Sequence, residues 1–381
     1  MRYARIAGWG KYVPERILSN QDLEKVVETS DEWICSHTGI RERRIAAPDE
    51  TVTTMAIAAS RAALTVACLD PTELDLIIVG TSSSDYLVPA AASMIQDGLG
   101  AEHAAAFDLR AGCSGFVYSL AVGTQFIATG MYRHVLVIGA EIISKFIDWR
   151  DRDTCILFGD GAGAVVLQAS EAPTGMLTCN LGSNGADYDA LFMPGGGSKH
   201  PFCQQVLDRG WHHMKMDGKR IYRFAVSTPA QVALQALDTA GLSPEDIALV
   251  VPHQANARIT QSICQRLGVP EEKVFVNIQR YGNTSAASIP IALCEAAEEG
   301  RMKPGDYILL LGFGAGLTWA AAVVRWGVPE PLLSWLFSWD SIRERIPVAE
   351  ATATARRAGV ALLAAVSALL VATFSWSKGR K

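Results

Sequence analysis

An internal repeat limits the folds open to this chain more than any other feature. Short apolar runs typical of buried strands alternate with stretches that carry apolar residues at helical spacing, and the same order then occurs a second time. Strands that alternate with helices indicate an α/β fold. We therefore predict an α/β fold built from two similar halves, residues 1–170 and 171–327, followed by a tail at 328–381. The segment that contains Cys113 is matched by 274–288. The other matched stretches are 75–80 with 247–252, 134–139 with 307–312, and 165–166 with 323–324.

Composition narrows the classes of function. The chain has 381 residues, of which 49% are hydrophobic and 19% charged, and its formal net charge is -5, so neither disorder nor nucleic-acid binding is indicated. Its eight cysteines form no CxxC pair and no spacing typical of a zinc site, and no apolar signal segment stands at the N-terminus. We expect reduced thiols in a cytoplasmic protein without a metal site.

One cysteine, Cys113, has a setting that the other seven lack. It stands between Gly112 and Gly115, where a strand-like run gives way to a helix-like run at 117–129. The N-terminus of a helix lowers the pKa of a thiol, and flanking glycines permit a sharp turn with exposed backbone N–H groups. We therefore predict that Cys113 is a nucleophile and that the other cysteines are inert core residues.

Two further residues follow strand-like runs in the second half. His253 comes directly after 247–252, and Asn283 stands between Gly282 and Thr284. Each alone could be structural, as a satisfied histidine or as a turn or cap residue. Because parallel strands place functional loops at their carboxyl ends, we expect both to meet Cys113. Papain-like hydrolases use the same three residue types in this order, but their local cysteine signature is missing here, so a thiol hydrolase is a minor alternative.

Six motifs together resemble β-ketoacyl-acyl carrier protein synthase III, and the likeness runs from residue 1 to about residue 326. The resemblance implies the thiolase fold, which has five layers in the order αβαβα and usually forms a homodimer. The motifs are DEWI at 31–34, TGIR at 38–41, AGCSGF at 111–116, FGDGAG at 158–163, PHQAN at 252–256 and GNTSAAS at 282–288.

The resemblance also implies a reaction. Cys113 would take the acyl group of an acyl-CoA primer and release CoA. His253 and Asn283 would hydrogen-bond the thioester carbonyl of malonyl-acyl carrier protein during loss of CO2, and the resulting carbanion would attack the acyl-cysteine. This decarboxylative Claisen condensation initiates fatty acid synthesis and needs no cofactor. A secondary-metabolite ketosynthase or acyltransferase with the same triad is the runner-up.

Two residues of the loop at 312–316 complete the catalytic set that the resemblance implies. The backbone N–H of Cys113 and one from this loop would form the oxyanion hole, with Ala315 where the family often has a glycine. Phe313 would shield the site and favour expulsion of the carboxylate.

Substrate recognition is implied in the same way. Trp33 and Arg152 would sandwich the adenine of CoA, and His37 stands where an arginine commonly contacts the CoA phosphates, so we expect weaker CoA binding. Val88 replaces a phenylalanine that closes the acyl pocket in some family members, which favours branched or medium-length primers. The residues expected to dock the acidic carrier protein are Arg258, Arg266 and Arg223.

The tail at 328–381 lies outside the resemblance. It carries seven basic and four acidic side chains, whereas the whole chain is acidic, and residues 359–376 contain no ionisable side chain. A helix of that length reaches about 27 Å, close to the ~30 Å of a hydrocarbon core. Tryptophans at 332–339 favour a membrane interface. We predict a C-terminal anchor that holds the catalytic body at a membrane; the alternative is an apolar helix docked on the body or on a partner chain.

Overall fold

The computed structural model describes residues 2–327, so the predicted anchor at 359–376 lies outside the described residues. The elements of the first half are β1 (Tyr3–Tyr12), β2 (Ile17–Ser19), α1 (Asn20–Leu23), α2 (Asp31–Thr38), β3 (Glu42–Arg44), α3 (Val52–Ala67), β4 (Leu76–Gly80), α4 (Ala91–Leu99), β5 (Ala105–Leu109), α5 (Gly115–Ala128), β6 (His134–Ile142), α6 (Arg152–Cys155) and β7 (Asp160–Ser170). Those of the second half are β8 (Gly175–Ser183), β9 (Leu191–Phe192), α7 (Gln204–Asp208), β10 (Lys215–Met216), α8 (Gly218–Ala225), α9 (Thr228–Ala240), β11 (Ile247–Pro252), α10 (Ala257–Leu267), α11 (Ile278–Tyr281), α12 (Ser288–Glu298), β12 (Tyr307–Gly314) and β13 (Thr318–Arg325).

The two main sheets have the same strand order and the same strand directions. The first runs β1-β7-β6-β4-β5 and the second β8-β13-β12-β11. In both sheets the first three strands pair antiparallel and the later ones parallel. The second sheet continues past β11 with a single parallel bridge between Val250 and Val274. This is the topology that the internal repeat predicts.

Helices and sheets alternate in five layers. Helices α5 and α12 pack between the two sheets, where apolar side chains of both helices and both sheets form one buried cluster. Helices α3 and α4 cover the outer face of the first sheet, and α9 and α10 cover that of the second. Buried on both faces, the central strands are nearly continuous apolar runs, which is why the sequence marks them clearly.

One predicted strand is shorter than its counterpart in the first half. Residues 274–278 match β5 in the repeat, yet only Val274 makes a bridge, and α11 begins at Ile278. The side chain of Gln254 donates to the carbonyl of Phe275 at 3.2 Å and accepts from the amide of Asn277 at 3.1 Å. This amide side chain satisfies backbone groups that a longer strand ladder would otherwise pair.

The turn before α5 explains how Cys113 reaches the end of the sheet. Strand β5 ends at Leu109, and a short 3-10 turn, Gly112–Ser114, leads into α5. Gly112 has a φ of +52°, and a Cβ at this position would lie 2.8 Å from the carbonyl oxygen of Ala315. Glycine is therefore required on both counts. Within residues 2–327, no helix combines the length and the apolar character needed to cross a bilayer.

Candidate active site

Three polar side chains meet in one cavity of about 160 Å³. Cys113, His253 and Asn283 all line it, and Phe313 forms part of its apolar wall. Cys113 lies in the turn after β5, His253 directly follows β11, and Asn283 precedes α12. All three are buried. Residues 113, 253 and 283, far apart in the chain, thus share one water-poor site.

The thiol of Cys113 is protonated in this site. Its pKa is raised to about 11, mainly by burial and also by the negative charge of Glu141, whereas the hydroxyl of Ser285 and the backbone amides of Ala315 and Cys113 act in the opposite direction. The expectation that the helix N-terminus gives Cys113 a low pKa is therefore wrong, because desolvation of the thiolate outweighs these donors. The sulfur needs a proton acceptor when it attacks.

The imidazole of His253 is neutral. Burial lowers its pKa to about 3. Nδ1 lies 2.6 Å from Oγ of Ser288, which also receives the amide of Gln254 at 3.5 Å. A hydroxyl that accepts from this amide can direct its own hydrogen to Nδ1, which favours the tautomer with hydrogen on Nε2. The ring of Phe313 packs edge-on against the imidazole, with ring centroids 5.2 Å apart at 72°. His253 is thus placed to act as a hydrogen-bond donor and not as a cation.

The amide of Asn283 is oriented by the backbone. Its Oδ1 accepts the N–H of Ser285 at 2.9 Å. Because the oxygen is engaged, the Nδ2 hydrogens are the ones available to a ligand in the cavity. Asn283 and His253 therefore both present N–H groups to the same small space.

Two backbone amides face the sulfur. Those of Ala315 and Cys113 donate toward it, and both lower the pKa of the thiol. Such a pair can hold the oxyanion formed when a carbonyl carbon bonds to the sulfur. Ala315 adopts an ordinary backbone conformation, since Cys68 and Ser285 are the only non-glycine residues with positive φ within 2–327. Alanine thus causes no strain where the family often has glycine.

A larger cavity of about 590 Å³ also reaches Cys113. Its apolar lining suits an acyl chain and comes from strand β9 and several connecting segments: Tyr86, Leu87, Ile143, Phe146, Phe158, Leu191, Phe192, Met193, Phe202 and Met214. Val88, the residue predicted to close the acyl pocket, is not among the lining residues. It is 85% exposed in the single chain, next to the exposed Tyr86 and Leu87.

The residues predicted to bind CoA lie together on the surface. The guanidinium of Arg152 lies 4.8 Å from the centre of the Trp33 ring, and the imidazole of His37 stacks on the same tryptophan at 4.3 Å. A flat base between Trp33 and Arg152 needs about 7 Å, twice a van der Waals contact. Arg152 is exposed and can move away to admit one.

The three arginines predicted to dock the carrier protein are all exposed. Arg223 lies on α8, and Arg258 and Arg266 lie on α10. Tyr222 of α8 and Ile259 of α10 line the catalytic cavity, so both helices border it.

Three residues that support this site were missed in the sequence. Ser288 bonds the His253 ring, and Ser285 contacts both Cys113 and Glu141. The two serines belong to the GNTSAAS motif, but the motif alone does not tell which hydroxyl points where. Glu141 could have been found in the sequence, because it is a carboxylate near the end of the apolar strand β6.

Comparisons with known proteins show the family of this chain. Residues 107–185 match the family described as 3-oxoacyl-[acyl-carrier-protein (ACP)] synthase III, and residues 237–326 match its C-terminal part. The beta-ketoacyl-[acyl-carrier-protein] synthase III of Roseiflexus sp. (strain RS-1) is 55% identical over 324 residues, which cover 85% of this chain and 98% of the relative.

Solved structures give the same result. The 3-oxoacyl-[acyl-carrier-protein] synthase III of Aquifex aeolicus VF5 superposes with a TM-score of 0.80 and 46% identity, covering 85% of this chain and 100% of that one. The priming beta-ketosynthase of the R1128 polyketide pathway has a TM-score of 0.80 and 39% identity, covering 86% and 97%. The fold is thiolase-like, and the chain belongs to the 3-oxoacyl-[acyl-carrier-protein] synthase III family.

Proposed function

We propose that the cavity shared by Cys113, His253 and Asn283 is where this enzyme condenses an acyl-CoA primer with malonyl-acyl carrier protein. The reaction initiates fatty acid synthesis and yields 3-oxoacyl-acyl carrier protein, CoA and CO2. The observation that carries the residue assignment is the convergence of one thiol, one neutral imidazole and one carboxamide on the same buried space.

The first half-reaction is acyl transfer to Cys113. The sulfur attacks the thioester carbonyl of the primer, and the amides of Cys113 and Ala315 hold the oxyanion. Collapse of this intermediate expels CoA and leaves the acyl group on the sulfur. The acyl chain then occupies the apolar cavity of about 590 Å³.

The second half-reaction uses the side-chain donors of the smaller cavity. The Nε2–H of His253 and the Nδ2–H of Asn283 bond the thioester oxygen of malonyl-acyl carrier protein. The bond to the carboxylate breaks, CO2 leaves, and its electron pair forms an enolate stabilised by the two donors. Phe313 contributes an apolar wall that favours loss of the charged carboxylate. The enolate carbon attacks the acyl-cysteine, and the sulfur of Cys113 leaves. Release of CO2 drives the bond formation, so this chemistry needs no metal or redox cofactor.

Substrate recognition forms part of the proposal. Trp33 and Arg152 hold the adenine of CoA after Arg152 moves aside, and His37, which stacks on Trp33, contributes less charge than an arginine. The exposed arginines 223, 258 and 266 lie on helices that border the cavity, which suits docking of an acidic carrier protein.

We also propose a homodimer. The loop with Tyr86, Leu87 and Val88 exposes three apolar side chains at the edge of the acyl cavity, and a second copy would cover them. Val88 would then contact the acyl cavity of the partner chain. For the tail, the 18-residue segment at 359–376 supports attachment to a membrane.

Substitution of the two donors tests the division of labour. His253→Ala and Asn283→Ala should each slow release of CO2 from malonyl-acyl carrier protein by about 10²- to 10³-fold, as expected for loss of an oxyanion donor. Acylation of Cys113 by labelled acyl-CoA should fall much less. His134→Ala serves as a control for loss of a histidine, because His134 is the first residue of β6 and does not line the catalytic cavity. Equal losses in both half-reactions would contradict the proposed roles.

A further inference from the structure

A buried carboxylate lies behind the nucleophile and has no role in the reaction as described above. Glu141, near the end of β6, is fully buried. It accepts the backbone N–H of Ser82 at 3.1 and 3.2 Å and hydrogen bonds from the hydroxyls of Thr81 and Ser83. Ser285 adds a third hydroxyl at 3.1 Å. An unpaired carboxylate is costly to bury, and this set of donors makes its ionised form tolerable.

Ser285 connects this carboxylate to the thiol. Its Oγ lies 3.1 Å from Oε1 of Glu141 and 3.5 Å from Sγ of Cys113. A hydroxyl has one hydrogen and cannot donate to both neighbours. When Glu141 is ionised, the hydroxyl donates to the carboxylate, and its lone pair faces the S–H of Cys113. The result is a continuous path for a proton from sulfur to oxygen to carboxylate.

The position of Ser285 is imposed by the structure around it. It has a φ of +50°, a conformation that side-chain-bearing residues rarely adopt. Its backbone N–H is held by Oδ1 of Asn283. Strained residues of this kind cluster at functional sites, where their surroundings fix them. The bridge between Glu141 and Cys113 is thus built into the turn that also orients Asn283.

The charges at the two ends of this path favour transfer of the proton from the thiol to Glu141. Burial and the negative charge of Glu141 both raise the pKa of the Cys113 thiol, so a thiolate beside an ionised Glu141 is disfavoured. Burial also raises the pKa of Glu141, which makes its carboxylate a stronger base. A thiolate paired with a protonated Glu141 avoids two adjacent negative charges. The arrangement favours removal of the proton only while the sulfur attacks.

We propose that Glu141, acting through the Ser285 hydroxyl, receives the proton of Cys113 during acylation and returns it after condensation. The S–H bond of Cys113 breaks as the S–C bond to the acyl carbonyl forms. Ser285 takes the thiol hydrogen and passes its own to Oε1 of Glu141. The C–S bond to CoA then breaks, and the CoA thiolate takes a proton from water. After condensation the expelled sulfur recovers a proton from Glu141 by the reverse path.

Glu141 touches no substrate and is therefore a positioning residue with a proton-holding role. The inference rests on the proposed function of Cys113 as acyl acceptor. The groups that face Glu141 are the loop residues Thr81, Ser82 and Ser83, then Ser285, with Cys113 beyond it.

The test compares the two half-reactions in Glu141→Gln, which keeps the size of the side chain but cannot accept the proton. Rapid-quench acylation of Cys113 by labelled acyl-CoA should slow by about 10²-fold, the usual contribution of a general base. Release of CO2 from malonyl-acyl carrier protein, measured with Cys113→Ala as the common background, should stay within about twofold, since it relies on His253 and Asn283. Ser285→Ala interrupts the same path with the carboxylate in place and should give the same pattern even if Glu141→Gln folds poorly.

The pH profile adds a readout that a structural role would not change. Only ionised Glu141 accepts a proton, so the rate of wild-type acylation should fall as the pH drops through the raised pKa of this group. Glu141→Gln should not show this decrease at low pH. The double variant Glu141→Gln/Ser285→Ala should be no slower than either single variant, because both remove one path. Glu141→Asp, which retains a carboxylate, should recover part of the rate.

Asp160 supplies a matched control. It is a buried carboxylate at the start of β7 that accepts hydrogen bonds from Ser144 and Ala46 and has no path to the thiol. Asp160→Asn should lower the melting temperature without changing the pH profile of acylation. Wild-type acylation by Glu141→Gln, or equal losses in both half-reactions, would overturn the inference. Acyl label on a different cysteine would overturn the proposed function itself.

Discussion

Gly314→Ala tests the close packing around the nucleophile. A Cβ at position 314 would lie 2.7 Å from Cβ, 2.8 Å from Sγ and 2.9 Å from the backbone nitrogen of Cys113. Because carbon contacts normally begin near 3.5 Å, the end of β12 or the Cys113 turn must move by roughly 1 Å. Overpacking of this kind costs about 1–3 kcal/mol. A displacement of about 1 Å at a reacting atom can slow catalysis by about 10²-fold.

The assay is single-turnover acylation of Cys113 together with thermal denaturation. Gly314→Ala should lose about 10²-fold in acylation rate and a few degrees in melting temperature, roughly 1.5 °C per kcal/mol for a folded unit of about 330 residues. Gly185→Ala is the matched control, because a Cβ there has no atom of residues 2–327 within 4 Å. If Gly314→Ala acylated at the wild-type rate with an unchanged melting temperature, the packing described at the nucleophile would be incorrect.

Three further outcomes are expected. Alkylation of Cys113 by iodoacetamide should accelerate about tenfold per pH unit up to about 11, because burial raises the pKa of the thiol to about 11 and only the thiolate reacts; a midpoint below 8 would show that the helix N-terminus outweighs burial. Isobutyryl-CoA and octanoyl-CoA should both prime the reaction, since the acyl cavity measures about 590 Å³; a strict preference for acetyl-CoA would refute this. A chain ending at Gly327 should sediment as an active dimer and should not bind the anionic vesicles that retain the full chain. Equal vesicle binding by both chains would contradict the proposed anchor. Sedimentation as a monomer would contradict the proposed dimer.

Much of the fold could be predicted because the strands are buried on both faces. Runs such as Leu76–Gly80 and Ile247–Pro252 are apolar throughout, and their repetition indicates two sheets of one topology. The exception is 274–278, where Gln254 replaces strand pairing with side-chain hydrogen bonds. A contact of that kind joins residues 21 positions apart and leaves no local periodicity.

The candidate site, like the fold, could be predicted from the sequence only in part. Cys113, His253 and Asn283 follow strand-like runs, so their approach could be expected from parallel topology alone. The direction in which the pKa of the thiol shifts could not be predicted, because it depends on how completely the fold excludes water. The contact between Ser285 and Glu141 spans 144 positions, and only the folded chain brings the two together. Val88 is exposed in the single chain, so its predicted role rests on the proposed dimer, which a single sequence does not place.

The central claim is that Cys113 carries the acyl group, and peptide mass mapping tests it directly. The full chain is incubated with a short acyl-CoA in the absence of malonyl-acyl carrier protein, digested at low pH and compared with Cys113→Ala. We expect one acyl adduct on the peptide that contains Cys113, its absence in the variant, and its loss when malonyl-acyl carrier protein is added. An adduct on any of the other seven cysteines, or one that persists in Cys113→Ala, would show that Cys113 is not the acyl carrier.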